Sequence, residues 1–172
     1  MRKIFSFILF LSIIILSFSS CKVSFNGSLK VNLEKQELEL EKIQYYNSKT
    51  IILKRVVSSN ETEVLSGKVT LQNGQMIEEI EIKKNTPGIM VNSSLNEMHI
   101  KFEPGNQKGN FLVFELSSDK RFVLRNQKGK VNYHDAIYRS NGESAYAELL
   151  IKKKSSRAVT YNKRKAKGVK VN

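Results

Sequence analysis

The sequence predicts an all-β domain, a small barrel or a sandwich, with a short helix before it. Three observations lead there. From Lys49 onward, turn signals recur about every 8–12 residues. The stretches between them are short and alternate Val, Ile, Leu or Phe with charged residues, the pattern of strands with one wet face. No helical period of useful length follows Tyr46.

Taken in order, residues 22–28 (KVSFNGS) read as a polar tether, with 21–32 as the whole linking segment. Leu33, Glu37, Leu40 and Ile43 suit one helical face among good helix formers, which predicts a short helix over Glu34 to Gln44. Thr50 to Val57 is a strand, Ser58 to Glu61 a turn, and Val64-Leu65 leads to a strand at Lys68 to Leu71. Asn73-Gly74 is the strongest hairpin signal in the chain. Ile77, Ile80 and Ile82 make the next strand, with Glu78, Glu79 and Glu81 expected on the wet side. Thr86-Pro87-Gly88 reads as a turn, and Ile89 and Val91 open a short strand. Glu97 to Glu103 alternates cleanly, Met98, Ile100 and Phe102 facing in. Pro104-Gly105-Asn106 turns the chain. Strands follow at Phe111 to Leu116, Arg121 to Leu124 and Lys130 to Tyr133, and a last long one at Ser144 to Ile151.

Before the domain, Arg2 and Lys3 precede an uncharged, mostly apolar run, Ile4 to Phe18, then Ser19, Ser20 and the only cysteine, Cys21. This is the layout of a secretory signal over 1–20 whose removal leaves Cys21 as a lipid-bearing N-terminus. Phe18 stands where a lipobox usually has Leu. An uncleaved membrane anchor and cleavage without lipidation stay open beside this reading. A lone cysteine makes no intramolecular disulfide, and cysteine zinc sites need several.

The net charge is +13, but its distribution is uneven. Of 29 Lys and Arg residues, two lie in 1–20 and nine in 152–172, so eighteen face sixteen acids in the rest. The nine are Lys152, Lys153, Lys154, Arg157, Lys163, Arg164, Lys165, Lys167 and Lys170, with no acid among them. Such a run is an interaction tail or simply a solvated one. Anionic lipid headgroups or an anionic envelope polymer suit it as partners. Nucleic acid suits its composition, but an exported protein rarely meets its own nucleic acid.

Residues that carry chemistry are few. His99 falls on the wet phase of its strand. His134 and Asp135 read as a two-residue hairpin turn, since both types tolerate left-handed backbone. Tyr133 and Tyr138 flank that turn and, with His134 and Asp135, form a candidate ligand surface; core packing is the plainer role for them. No catalytic or nucleotide-binding motif of recognised spacing occurs. No metal site and no cofactor are expected.

Several stretches resemble a known group when taken together. Ile43 to Ser48 (IQYYNS) precedes an apolar strand, and Ile80 to Gly88 (IEIKKNTPG) is followed by Met98 to Gly105 (MHIKFEPG). Gly129 to Tyr133 (GKVNY) then runs to Tyr138, and Ala145 to Lys153 (AYAELLIKK) closes the domain. Over residues 40–153 this resembles small bacterial lipoproteins of the Bacteroidetes type, and its middle looks like an SH3-like small barrel. The resemblance implies a fold and an envelope location and transfers no catalytic residue. The expected organisation is thus a signal over 1–20, a tether over 21–32, a helix plus β domain over 33–151, and a basic tail over 152–172. The expected role is that of a lipid-anchored envelope protein that binds an unidentified protein or polyanion, or serves structurally. The alternatives are a hydrolase with its site at His134 and Asp135, and anion binding by the tail alone.

Overall fold

A computed structural model describes residues 21–57 and 67–158. The expected signal, the turn at Ser58 to Glu61, Val64-Leu65 and the tail beyond residue 158 lie outside the described residues, as does the side chain of Arg157. The all-β class holds: two antiparallel sheets pack around one core, and of the two expected architectures the sandwich-like one is realised.

In chain order the strands are β1 (Lys22–Ser24), β2 (Tyr45–Asn47), β3 (Ile51–Val57), β4 (Lys68–Gln72), β5 (Gln75–Ile82) and β6 (Pro87–Ser93). They continue with β7 (Glu97–Lys101), β8 (Leu112–Leu116), β9 (Phe122–Leu124), β10 (Lys130–Tyr133), β11 (Ala136–Ser140) and β12 (Leu149–Lys152). The larger sheet has the order β1-β12-β2-β6-β7-β8-β9, the smaller one β10-β11-β3-β5-β4. Beyond β9, bridges Asn26↔Arg121 and Val123↔Glu148 tie the far edge of the larger sheet back to its β1–β12 side. Arg121 reinforces that seam by pairing with both Asp119 and Glu148.

The segment read as a tether is structured. Lys22–Ser24 pairs with β12, and Phe25 is fully buried, edge-on to Tyr45 at 5.2 Å and stacked on Phe122 at 5.6 Å. Four residues of alternation are too few to stand out in a sequence, yet burying one Phe side chain contributes about 2 kcal/mol. The helix also sits earlier than expected. α1 spans Gly27–Lys35, because the Asn26 side chain caps it by accepting from the Leu29 N–H at 2.8 Å. It stops because Glu37 turns left-handed (φ 55), its N–H donating to the Glu34 carbonyl and the Leu38 N–H to the Leu33 carbonyl. Leu40 then reaches the core from a single 3-10 turn, Leu40–Lys42.

The hairpin at Asn73-Gly74 is as expected, with φ of 49 and 75 and Gln72 paired with Gln75. The turn expected at Thr86-Pro87-Gly88 lies earlier, at Lys84-Asn85, where Asn85 has φ 66. Pro87 already belongs to β6. Gly88 is there for contact: a Cβ on it would lie 2.7 Å from Ile100 Cγ2 and 2.8 Å from the Phe102 ring. In β7, Met98 and Ile100 are buried as the alternation requires, with Phe102 partly buried after them. The long final strand is shorter than expected, since Ser144–Tyr146 forms a 3-10 turn before β12. A second helix, α2 (Lys153–Ala158), follows β12 directly.

On one strand two neighbours, Ile77 and Glu78, take the opposite faces from those expected. On β5 the buried residues are Glu78, Ile80 and Ile82, and Ile77 faces outward with Glu79 and Glu81. Period two forces this: once Ile80 and Ile82 face in, Glu78 must follow them. Buried with it is a polar cluster. The Glu78 carboxylate accepts from Arg55 Nε at 2.5 Å, from the Tyr138 hydroxyl at 3.1 Å and from the Gly67 N–H at 3.2 Å.

Candidate functional site

Three places gather the residues singled out by the sequence or by the fold. The first is the hairpin β10–β11. His134 and Asp135 form its turn, both left-handed, with φ of 50 and 56, and Tyr133 pairs with Ala136 across it. The four candidate residues do not make one surface. Tyr133 and Tyr138 lie on the inner face, fully buried, with ring centroids 6.4 Å apart. This corrects their reading as ligand contacts: Val131, Tyr133 and Tyr138 share the inward phase of the two strands. The Tyr133 hydroxyl donates to Glu103 at 2.5 Å and lies 3.1 Å from Asn110 Oδ1. Burial, followed by Glu103, pushes its pKa well above the usual phenol range. Burial likewise pushes Tyr138 up to about 12, with Glu78 adding to it.

His134 is buried, with its ring edge-on to Tyr133 at 4.3 Å. Neither ring nitrogen has a hydrogen-bond partner, and Nε2 lies 3.6 Å from Glu103 Oε2. Asp135 is exposed instead, 3.9 Å from the Lys108 ammonium. The two neighbours therefore point to different surroundings and share no hydrogen bond. His99, expected in solvent, is half-buried and stacks on Phe111 at 4.8 Å. Among the described residues no group of three or more His, Cys, Asp or Glu side chains gathers as metal ligands would.

The second place is the end of the domain that carries Cys21. Cys21 is exposed, and its carbonyl accepts from the Lys153 N–H at 2.9 Å. Lys22 pairs directly with Lys152 across β1 and β12. Lys152, Lys153 and Lys154 are all exposed. The Lys22 ammonium lies 4.4 Å over the Tyr46 ring and donates to Asn85 at 3.1 Å, beside the turn that carries Lys83 and Lys84. Sheet pairing thus brings the cysteine and the start of the basic run to one pole of the molecule. Lys163, Arg164, Lys165, Lys167 and Lys170 lie outside the described residues. Among those described, no helix is long and apolar enough to cross a membrane.

The third place is the outer face of the smaller sheet, and the sequence reading missed it. Directly paired residues run across all five strands in one row: Lys130, Arg139, Lys54, Glu79 and Lys68. Two residues further along, the outward side chains are Asn132 and Ile137, paired, and Val56, Ile77 and Thr70, paired in turn. Val56 and Ile137 are 60% and 62% exposed. A concavity of about 490 Å³ lies between the rows, lined by Lys54, Val56, Ile77, Lys130, Ile137 and Arg139 among others. A second, of about 700 Å³, shares Lys130 and Ile137 and adds Arg125 and Lys128. Among the described residues no acidic side chain lines either one. The available signal was the outward phase of each strand, Lys54-x-Val56 and Ile137-x-Arg139, but only the register between strands aligns them. No family model, curated protein or solved structure matches the chain.

Proposed function

We propose that this protein is a lipid-anchored protein of the bacterial envelope that works by binding and has no catalytic activity of its own. The observation that carries the reading is the exposed Cys21 beside Lys22, Lys152, Lys153 and Lys154 at one pole. Acyl chains and a basic patch beside them reinforce each other in holding a protein to an anionic surface. Each cation near an anionic leaflet adds about 1 kcal/mol. The signal-like stretch ahead of Cys21 and the resemblance to small lipoproteins support the same location. His134 and Asp135 point to different surroundings, and the carboxylate nearest His134, that of Glu103, is held by the Tyr133 hydroxyl, which supports binding over catalysis.

Membrane fractionation with an acyl label tests this. The wild type takes up label and stays with membranes after peripheral proteins are stripped, and Cys21→Ser abolishes both. Replacing Lys152, Lys153 and Lys154 by Gln weakens retention on anionic vesicles and leaves labelling intact. A wild type without label, together with a Cys21→Ser form that stays membrane-bound, defeats the anchor.

A further inference from the structure

The outer face of the smaller sheet has a chemical character that the anchor does not use. Lys130 opposes Arg139, and Arg139 opposes Lys54, on three adjacent strands. Like charges placed directly opposite in a sheet destabilise it. Glu79 relieves only Lys54, at 2.7 Å. Lys130 and Arg139 have no ion-pair partner among the described residues, and both are exposed. Immediately beside them lies an apolar strip, Ile137, Val56 and Ile77, on β11, β3 and β5. It crosses two inter-strand spacings, about 10 Å, and lies two residues, about 7 Å, from the cationic row.

We propose that this face binds a single anionic amphiphile, a phosphate or carboxylate head on an alkyl chain. The head sits over Lys130 and Arg139, where it relieves their mutual repulsion. The chain lies along Ile137, Val56 and Ile77, covering side chains that are otherwise in water. The concavity of about 490 Å³ has the size of a small-molecule site. A hydrophilic polyanion would satisfy the cations and leave the apolar strip uncovered, and among the described residues the lining has no aromatic ring on which a sugar or base could stack. The proposal deepens the reading of the protein as a binding module and is independent of its anchor.

Photocrosslinking of the full chain in a non-ionic detergent tests it, with an alkyl phosphate carrying a diazirine in its chain as the probe. Crosslinks mapped by mass spectrometry are expected on peptides containing Val56, Ile77 and Ile137. Dodecyl phosphate and laurate compete; dodecylphosphocholine and inorganic phosphate do not. Repeated without detergent on the Cys21→Ser form, competition by free dodecyl phosphate marks a free amphiphile as the source, and competition by phosphatidylglycerol vesicles alone marks a headgroup still in a bilayer. Lys130→Glu with Arg139→Glu lowers crosslinking about tenfold, and Val56→Ser with Ile137→Ser does the same. All four positions are exposed, and circular dichroism checks that the fold is kept. Lys130→Gln with Arg139→Gln is the milder pair if it is not. Cys21→Ser leaves the crosslink in place while moving the protein off the membrane, so this site and the anchor fail separately. Crosslinks spread over the whole surface, equal competition by inorganic phosphate, or displacement by heparin but not by dodecyl phosphate would each overturn the proposal.

Discussion

Glu78→Ala is expected to be among the most damaging single substitutions in the domain. The carboxylate is fully buried, and among the described residues it accepts from Arg55, Tyr138 and Gly67. Removing it strands the Tyr138 hydroxyl, which is fully buried, and strips a carboxylate from an Arg55 side chain that is only 13% exposed. Each stranded buried donor costs about 1–3 kcal/mol, and a broken buried ion pair about 3–5 kcal/mol in all. For a domain of this size that is a fall in Tm of roughly 6–20 °C. Burial alone would raise the pKa of this carboxyl, but Arg55, the Gly67 N–H and the Tyr138 hydroxyl outweigh it and hold it below the usual carboxylate range. The stabilisation is therefore complete above the unfolded-state pKa of about 4.3 and is lost as the pH falls through the lower folded-state value. Thermal unfolding followed by circular dichroism at several pH values reads both effects, with Glu78→Gln as the shape-preserving control. The gap between wild type and Glu78→Gln should close in acid. A double-mutant cycle with Arg55→Ala should show coupling of at least about 1.5 kcal/mol. A loss below about 1 kcal/mol for Glu78→Ala, with no coupling to Arg55, would refute the cluster as a source of stability.

Gly88→Ala drives a Cβ into Ile100 and the Phe102 ring and should cost about 1–3 kcal/mol in urea unfolding, at unchanged slope. Asp135→Gly relieves an exposed left-handed residue and should stabilise the domain by about 1 kcal/mol, read as a higher urea midpoint. Asn47→Ala removes the amide that donates to the carbonyls of Lys49 and Lys83 at 2.7 and 2.8 Å and should cost about 2 kcal/mol. Hydrogen exchange would show that last loss concentrated at the ends of β2 and β5.

The parts of the fold that were legible are those where one local rule decides. Asn73-Gly74 can only be read as a tight hairpin, and the alternation from Glu97 to Lys101 sets both faces of β7. The helix starts ahead of the good helix formers of Glu34 to Gln44 because Asn26 supplies a cap seven residues before Leu33. Glu78 was recoverable: Ile77, Ile80 and Ile82 cannot share one face at period two, and the pair with matching parity takes Glu78 inward. Tyr133 and Tyr138 were correctly placed beside a His134-Asp135 turn, but which face the hairpin buries is settled by its packing on β3. The row from Lys130 to Lys68 was beyond reach, because it joins five strands whose relative register is a tertiary fact.

The place of β12 between β1 and β2 has a temporal consequence. Among the described residues its four are the last strand made, and β1, the first, pairs with no other strand. Closure of the larger sheet therefore waits until Leu149–Lys152 has left the ribosome, and contacts so distant in sequence form slowly. The smaller sheet and the run β6-β7-β8-β9 need no part of β12, so the late event is the docking of the first described strand and not the folding of the rest.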